Sequence, residues 1–272
     1  MIEIWNETSS VNADDHMPQE ILIRLSKHVS DHPWWHARAR LVARIIEQKL
    51  GPGSHRVLDA GCGWGVTLTY LERCGHDVSG LDVGRPALEL LDKPIRNLIL
   101  GDIQAGPVPE HAIGSFDVVL ALDVLEHLDD DQVALFHLSQ LVRPGGLVIV
   151  TVPAGPDLWS EFDEIQGHRK RYIKDELTRL FSESAYFDSF QVSYCWPWLI
   201  GPARWTRRRG VKSNKKYSRH SWEIYEEHVR PVSWPVRFVM NGLFWVSQWR
   251  ITGAGERSGT SLLAYGYRCQ EE

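Results

Sequence analysis

Short runs of hydrophobic residues alternate along the chain with longer segments whose hydrophobic positions recur every three or four residues. The longer segments have the spacing of amphipathic helices. The short runs are continuous and rich in Val, Ile and Leu, as in strands buried on both faces. They lie at Arg56–Asp59, Asp77–Leu81, Leu98–Leu100, Phe116–Leu122 and Leu147–Val152. This alternation predicts an α/β fold in which a mostly parallel sheet is covered by helices on both faces.

Further elements flank this central region. Residues 1–16 are polar and are expected to form a loose arm, and two helices follow, one over Met17–Val29 and one from Pro33 to Gly51. After a helix at Lys174–Ser184, two more strands are predicted at Phe187–Tyr194 and Ser261–Tyr267, separated by an insertion rich in Trp and Arg. We therefore divide the chain into an N-terminal arm with lid helices (1–50), a core (51–195), a helical insertion (196–257) and a last strand with its tail (258–272).

Composition narrows the class of protein. The chain has 272 residues, of which 43% are hydrophobic and 24% charged, values that are ordinary for a globular protein with a sizeable core. Its net charge of −5 argues against nucleic-acid binding. The N-terminus has no signal-peptide pattern, the apolar runs are too short for a membrane span, and the four cysteines form no disulfide or zinc pattern. These features predict a cytoplasmic protein with reduced thiols.

A glycine-rich loop follows the first strand of the core. Gly61, Gly63 and Gly65 let the backbone turn tightly and approach a ligand, and the next helix offers free N–H groups. Asp82 ends the following strand, where a carboxylate can accept hydrogen bonds from ribose hydroxyls. The spacing is GxGxG and not GxGxxG, and Asp59 before it would repel a pyrophosphate and suit a cationic group. A nicotinamide dinucleotide is therefore disfavoured but stays an alternative.

Five motifs in order resemble those of the class I S-adenosylmethionine-dependent methyltransferases. They are DAGCGWG (59–65), GLD (80–82), GDI (101–103), LDVLEHLDD (122–130) and LVRPGGLVIVTVPA (141–154). The resemblance covers about residues 33–195 and the last strand. It implies a doubly wound, Rossmann-like sheet of seven strands, the last two forming an antiparallel hairpin. The helical patterns described above add an N-terminal helical lid and a helical insertion before the last strand.

The same resemblance implies S-adenosylmethionine as the cofactor. Asp59 would neighbour the methionine amino group, Asp82 would hold the ribose hydroxyls, and Asp102 would meet the adenine amino group. The implied cofactor-binding residues are Asp59, Gly61, Cys62, Gly63, Asp82, Val83, Asp102, Ile103, Leu122 and Asp123.

Candidates for work on the methyl acceptor lie after the fourth and fifth core strands. His127 follows the fourth, and the loop after the fifth resembles a GHxRRY-like stretch of one bacterial methyltransferase group, with Lys170 in place of the first arginine of the pair. A histidine here could take a proton from the methyl acceptor, and an arginine could bind an acceptor that is an anion. The predicted catalytic residues are His168, Asp163 and His127, and the predicted substrate-binding residues are Trp159, Arg169, Arg171 and Tyr172. The alternative is a lid in which Asp163 pairs with an arginine.

No metal site is expected, because His32 and His36 lack further ligands at metal-binding spacing. The insertion holds eight basic residues and no acidic ones between Gly201 and His220. This run suits a solvated loop, contact with a membrane surface through residues 196–220, or an acidic substrate. A hydrophobic stripe over Pro235–Arg250 predicts a helix that covers the acceptor pocket or packs on a partner subunit.

The function predicted from the sequence is methyl transfer from S-adenosylmethionine to a small-molecule or lipid-linked acceptor. Oxygen or nitrogen is favoured over carbon as the methylated atom. The alternatives are an NAD-dependent oxidoreductase and a non-catalytic, cofactor-binding partner subunit. The expected location is the cytoplasm, with peripheral contact at the membrane, and the oligomeric state stays open.

Overall fold

The fold is known from a computed structural model, which describes residues 2–6, 19–91, 95, 97–210, 225–226, 229, 232–253 and 255–270. Eight strands form one sheet in the order β1-β4-β3-β2-β5-β6-β8-β7. Their bounds are β1 Ile2–Ile4, β2 Arg56–Ala60, β3 Asp77–Asp82, β4 Asn97–Leu100, β5 Phe116–Leu122, β6 Val142–Pro153, β7 Phe187–Cys195 and β8 Ser261–Arg268.

The pairing of these strands confirms the predicted architecture. Strands β1 to β6 pair in parallel, whereas β8 runs antiparallel between β6 and β7. The last two strands in the chain are therefore the antiparallel pair that the motif resemblance implied.

The sheet has eight strands where seven were expected, because the start of the chain adds one. Residues 1–16 were predicted to form a loose arm, and for Ile2–Ile4 this is wrong. These residues pair in parallel with β4, Ile2 opposite Leu98 and Ile4 opposite Leu100, and the N–H of Trp5 continues the ladder. Three residues are too few for a hydrophobic alternation to be recognised in the sequence. The strand becomes evident only from its pairing with the outer edge of β4.

Nine helices cover the sheet within the described ranges. They are α1 Gln19–Ser30, α2 Pro33–Leu50, α3 Val66–Arg73, α4 Arg85–Leu90, α5 Asp131–Leu141, α6 Glu161–Ile165, α7 Lys174–Glu183, α8 Ile200–Gly210 and α9 Trp234–Thr252. Successive residues of the central strands point to opposite faces. Leu58 and Val119 face the core formed with α5 and α7, while Val57 and Val118 face the core formed with α2, α3 and α9.

Helix α2 carries residues from the surface to the edge of the sheet. It begins at Pro33, which suits the first helical position, and the side chain of His32 accepts a hydrogen bond from the N–H of Trp34. Gly51, with φ +84°, ends the helix. Its buried side, which includes Leu41 and Ile45, packs into the second core. This packing fixes the direction of the side chains on the same helix that reach the ligand edge.

The insertion before the last strand is described in part. Helix α9 packs against α2, and the amide of Gln248 donates a hydrogen bond to the carbonyl of Ala37 at 2.9 Å. Much of the basic run lies outside the described residues, since 211–220 are not among them. Searched over the described residues, the chain has no helix that combines the length and the hydropathy of a membrane span.

The hydrophobic stripe predicted on α9 is divided between a buried part and an exposed part. Phe244 is buried against the rings of Trp196 and Trp198. Val236, Val239, Leu243 and Trp245 on the same helix are exposed.

Candidate functional site

The candidate site lies at the carboxyl ends of β2, β3 and β5. From β2 the chain proceeds to β3 and β4 on one side of the sheet, then crosses to β5 and β6 on the other. Loops diverge where the strand order reverses, and this point is the usual ligand crevice of an open parallel sheet.

The glycine loop after β2 adopts a backbone that other residues would strain. Gly61 has φ +80° and its N–H donates to the carbonyl of Leu81 at 2.7 Å. A side chain at Gly61 would collide with Val124. Gly63 has φ +49°, and no atom of the described residues lies within 4 Å of where its Cβ would be. The loop thus leaves open space on the side where a ligand would lie.

Asp82 joins the glycine loop to the end of β3. Its Oδ2 accepts the N–H of Gly63 and its Oδ1 accepts the N–H of Gly84, both at 2.8 Å. These two hydrogen bonds hold the carboxylate in position at the end of β3, beside the glycine loop. Val83 follows it, half-buried.

Asp59 is a buried carboxyl with an unsatisfied oxygen. It is 3% exposed, and within the described part of the chain its Oδ1 has no hydrogen-bond partner. Burial raises the pKa of the Asp59 carboxyl to about 7, against the opposing charge of Arg38. A buried polar atom without a partner is costly, so it marks a place where a ligand would supply a donor.

Arg38 reaches this edge of the sheet from helix α2. Its guanidinium donates to the carbonyl of Leu122 at 3.2 Å and forms an ion pair with Asp123. Asp123 has the left-handed φ of +59°, and its carboxylate accepts a hydrogen bond from the hydroxyl of Thr151 at 3.1 Å. A strained backbone that neighbouring contacts hold in place is typical of ligand sites. The site therefore offers one cation beside the carboxyl of Asp59.

The loop after β4 is fixed by two side chains from elsewhere in the chain. Asn6 accepts the N–H of Asp102 at 2.8 Å and donates to the carbonyls of Asp102 and Ala105. Nδ1 of His137 lies 2.6 Å from the carbonyl oxygen of Ile103. The Oδ1 of Asp102 accepts the N–H of Gln104. Asp102 and Ile103 are thereby held at the end of the strand next to that of Asp82.

On the other side of the site, Asp163 is the centre of a buried polar network. Its Oδ1 contacts His168 Nδ1 at 3.0 Å and accepts Arg171 Nε at 2.7 Å. Its Oδ2 accepts both the N–H and the hydroxyl of Ser160, which caps helix α6. Burial alone would raise the pKa of the Asp163 carboxyl, but the His168 and Arg171 contacts outweigh it and lower the pKa to about 2. Asp163 is therefore an ionised group that orients His168.

His168 lies next to two residues of the segment after β5. Its Nε2 is 3.8 Å from Glu126 Oε1, and its ring meets that of His127 edge-on with centroids 4.8 Å apart. Burial, then the charge of Asp123, raises the pKa of the Glu126 carboxyl well above its usual value. Ligand atoms of the three side chains lie within 4.8 Å of one another, so the group could hold a metal ion as well as move a proton.

The four residues predicted to bind substrate are placed differently from one another. Arg171 is buried against Asp163 and the carbonyl of Ala154, and the hydroxyl of Tyr172 donates to Asp131. Arg169 binds the carbonyl of His127 and pairs with Asp129 at the surface. Trp159 is 37% exposed. Arg171 and Tyr172 thus stabilise the loop from inside, as the salt-bridged alternative expected, while Arg169 and Trp159 stay on its outer side.

A small cavity separates α2 from the ends of β5 and β6. Its lining combines aromatic and aliphatic side chains with the Arg38–Asp123 pair: Trp34, Arg38, Leu41, Asp123, Thr151, Cys195, Trp196 and Ser261. A chain of rings lies nearby, in which Trp64 of the glycine loop contacts Trp35 and Tyr225, and Tyr225 contacts Phe162.

Comparison with known proteins identifies the family. The model of a family described as "Methyltransferase domain" matches residues 34–188, more than half of the chain. The chain belongs to this family. It contains a methyltransferase domain, which argues against the nicotinamide alternative.

Individual relatives are more distant. The ubiquinone biosynthesis O-methyltransferase of Escherichia coli is 37% identical over 106 residues, which are 38% of this chain and 44% of that protein. The methyltransferase thus spans less than half the length of the curated relatives it matches. Phosphoethanolamine N-methyltransferase 2 of Haemonchus contortus has a TM-score of 0.53 at 16% identity, over 85% of this chain and 52% of that one. A Haloferax volcanii protein bound to the Trm112 methyltransferase activator has a TM-score of 0.54 at 16% identity, over 93% of this chain and 95% of that one.

The structure of the methyltransferase brings most of the predicted residues to one edge of the sheet and adds others. Asp59, Asp82 and the ends of β4 and β5 surround the glycine loop, and His168, Asp163 and His127 form the cluster beyond β5. Sequence reasoning missed Arg38, because the run Ala37–Arg40 offers two arginines and nothing in it tells which one faces the sheet. It also missed Asn6, His137, Glu126 and the ring of Tyr225.

Proposed function

We propose that this methyltransferase methylates a hydroxyl oxygen of a small-molecule or lipid-linked acceptor, with His168 as the proton acceptor. The observation that carries the choice of oxygen is the buried Asp163–His168 pair, with Nδ1 and Oδ1 3.0 Å apart beyond β5. A hydroxyl must lose its proton as it is methylated, and a histidine held by a carboxylate is suited to accept it.

In this proposal the cofactor lies over the glycine loop. Its ammonium group supplies the donor that Asp59 Oδ1 lacks, and Arg38 uses its remaining N–H groups to bind the methionine carboxylate. Asp82, which the N–H groups of Gly63 and Gly84 hold in position, accepts the two ribose hydroxyls. Asp102, Ile103 and Val83 surround the adenine, and the open side of Gly63 gives the cofactor room. Cys62, Gly61 and Leu122 shape the loop and the strand end next to it.

S-adenosylmethionine, when bound, supplies an electrophilic methyl group on a sulfonium whose bonding electron pair stays on sulfur after transfer. The residues of this chain then have to place the acceptor and take its proton. His168 Nε2 receives that proton, and ionised Asp163 on the opposite nitrogen stabilises the resulting imidazolium. His127, with its ring centroid 4.8 Å from that of His168, is the second imidazole able to take part.

The acceptor proposal rests on the cavity and on the kind of relative found by sequence. Trp34, Leu41 and Trp196 give this small cavity an apolar lining, which suits contact with an apolar part of the acceptor. The E. coli relative is an O-methyltransferase. Trp159 and Arg169, on the outer side of the loop, are proposed to line the entrance for the acceptor. The proposed location is the cytoplasm, at the surface of the membrane.

The test is transfer of a labelled methyl group to three matched probes. These are a catechol with an isoprenoid tail, the same catechol without a tail, and the corresponding aromatic amine. We expect the tailed catechol to be methylated fastest. In His168→Gln we expect kcat to fall about a hundredfold or more, since a general base contributes about 10²–10⁴ to a rate. The affinity for S-adenosylhomocysteine should not change.

His111→Gln is the matched control, because the side chain of His111 is exposed and its Nε2 contacts Glu3 of the edge strand β1, away from His168. It should keep wild-type kcat. Methylation of the amine alone would contradict the oxygen proposal, and an unchanged kcat in His168→Gln would remove His168 as the base.

A further inference from the structure

Helix α9 exposes a continuous apolar side. Trp234 is 77% exposed, Phe238 70% and Trp245 60%. The large apolar side chains exposed along the helix are Trp234, Val236, Phe238, Val239, Leu243, Trp245, Val246 and Trp249. All residues of this helix are described, and Arg250 is its one exposed charged side chain, since Arg237 is half-buried. We call these eight apolar residues the α9 outer face.

The inner side of the same helix is the more polar one. Ser247 and Gln248 are buried there beside Phe244 and Ile251. The amide of Gln248 is satisfied by the carbonyl of Ala37 at 2.9 Å. A surface helix normally places its apolar side toward the core and its polar side toward water. On α9 this arrangement is reversed, because the apolar side faces water and the more polar side faces the protein. A contiguous exposed apolar surface of this kind is typical of an interaction site.

The chemistry of the α9 outer face suits the boundary of a lipid bilayer. Three of its eight residues are Trp, the residue that concentrates where hydrocarbon meets the headgroups. The helix has 19 residues and is therefore about 28 Å long at 1.5 Å per residue. The rings of Trp245 and Trp249 lie 6.0 Å apart, as do those of Trp234 and Phe238, so the aromatic groups run along the helix. Such a helix can lie flat in the interface while its inner side stays on the protein.

Charge in the same part of the chain favours an anionic surface. Residues 196–257 contain twelve Lys and Arg against four Glu, whereas the rest of the chain contains 18 Lys and Arg against 31 Asp and Glu. The two parts have opposite signs, so an anionic bilayer attracts the insertion and repels the core. Arg204 and Trp205 on α8 are exposed and belong to this basic part.

We propose that the α9 outer face docks the protein on an anionic lipid bilayer. The helix lies in the plane of the surface, with Trp234, Trp245 and Trp249 among the headgroups. This proposal does not depend on the identity of the acceptor. On the inner side of α9 the ring of Phe244 is 4.9 Å from that of Trp196, which lines the cavity described above. Docking would thus place the cavity one helix away from the bilayer.

The experiment is flotation of the full chain with phosphatidylcholine vesicles that contain or lack phosphatidylglycerol. We expect at least about tenfold tighter binding to the phosphatidylglycerol vesicles, weakened by added salt. The double variant Phe238→Ser/Trp245→Ser should lose at least about tenfold of that affinity, because it removes two large apolar side chains from the bilayer. The matched control is Leu90→Ser/Ile113→Ser, which removes two exposed apolar side chains elsewhere and should bind as the wild type does.

Two further readouts distinguish docking on lipid from misfolding of the variants and from self-association of the chain. Lipids with brominated chains should quench tryptophan fluorescence of the bound wild type and quench the double variant less. Affinity for S-adenosylhomocysteine should be equal in all three proteins. Equal affinity would show that the variants fold and that vesicle binding does not depend on the cofactor site. No binding of the wild type to either vesicle, or equal loss in the control variant, would overturn the proposal. So would a dimer in solution that the double variant dissociates without vesicle binding, because it would assign the face to a second copy of the chain.

Discussion

At the scale of single residues, Asp59 shows how burial sets the charge of a carboxyl. Burial raises its pKa to about 7, so near neutral pH the group is part protonated. An ammonium group binds the ionised form. Affinity for S-adenosylhomocysteine should therefore increase as the pH rises through 7, and decrease by up to about tenfold for each pH unit below it. Calorimetric titrations between about pH 5.5 and pH 8.5 would measure this slope.

Asp59→Asn provides the control for that slope, since an amide does not titrate. The variant should bind more weakly and lose the pH dependence around pH 7. Asp117→Asn should keep the pH dependence, because Asp117 lies at the opposite end of β5. Burial would raise the pKa of the Asp117 carboxyl, but its contacts with Arg143 and Arg56 lower it overall. A slope that persists in Asp59→Asn would assign the titration to another group.

The residues that sequence reasoning found differ in a physical way from those it missed. Asp59, Asp82 and the glycines act through one short loop, whose backbone requirements are visible in the local order of residues. Arg38 pairs with Asp123 from 85 positions away, and Asn6 contacts the Asp102 loop from 96 positions away. Such contacts exist only after the helix or strand has been placed, so local spacing carries no sign of them.

At the scale of elements, the sequence predicted the existence and the ends of a helix better than which side of the helix is buried. Helix α2 was predicted from Pro33 to Gly51 and is observed at Pro33–Leu50, because Pro and Gly mark both ends chemically. The periodic stripe on α9 was also predicted, but the sequence left open whether it covers the acceptor pocket or faces a partner subunit. Periodicity shows that one side of a helix is apolar, whereas burial depends on what the rest of the fold brings against it.

Strand β1 makes an element-scale prediction about the cofactor site. Three hydrogen bonds from Asn6, the second residue after β1, hold the backbone of Asp102 and Ala105. Asn6→Ala should accelerate hydrogen exchange at residues 102–105. It should weaken S-adenosylhomocysteine binding by up to about tenfold, since each such bond contributes about 0.5–1.5 kcal/mol and solvent replaces part of it. Exchange measured by mass spectrometry and calorimetry would check both effects.

Glu3→Ala is the appropriate comparison, because Glu3 lies within β1 and its side chain contacts Trp5 and His111 at the surface. It should leave both measurements near the wild-type values. If Asn6→Ala changed neither of them, the loop would be held by its own turn and by His137, and β1 would serve only to close the sheet edge.

At the scale of the whole molecule, the proposed cofactor site connects separate parts of the chain. Its residues come from α2, from the ends of β2, β3 and β5, and from a loop fixed by the N-terminal strand. A ligand bound there contacts both cores at once, so it should stabilise the fold as a unit against unfolding, and not one helix or loop alone.

Thermal unfolding measures this coupling. A ligand at a hundred times its dissociation constant stabilises the native state by about 2.7 kcal/mol. For a chain of this size we therefore expect S-adenosylhomocysteine to raise Tm by about 5–10 °C in a single transition. NAD at the same concentration should leave Tm unchanged, and Asp82→Ala should reduce the shift at that fixed concentration, because it removes the proposed anchor of the ribose. An equal shift with NAD would contradict the assignment of Asp59 to an ammonium group, since a pyrophosphate cannot lie beside that carboxyl at about pH 8 without repulsion.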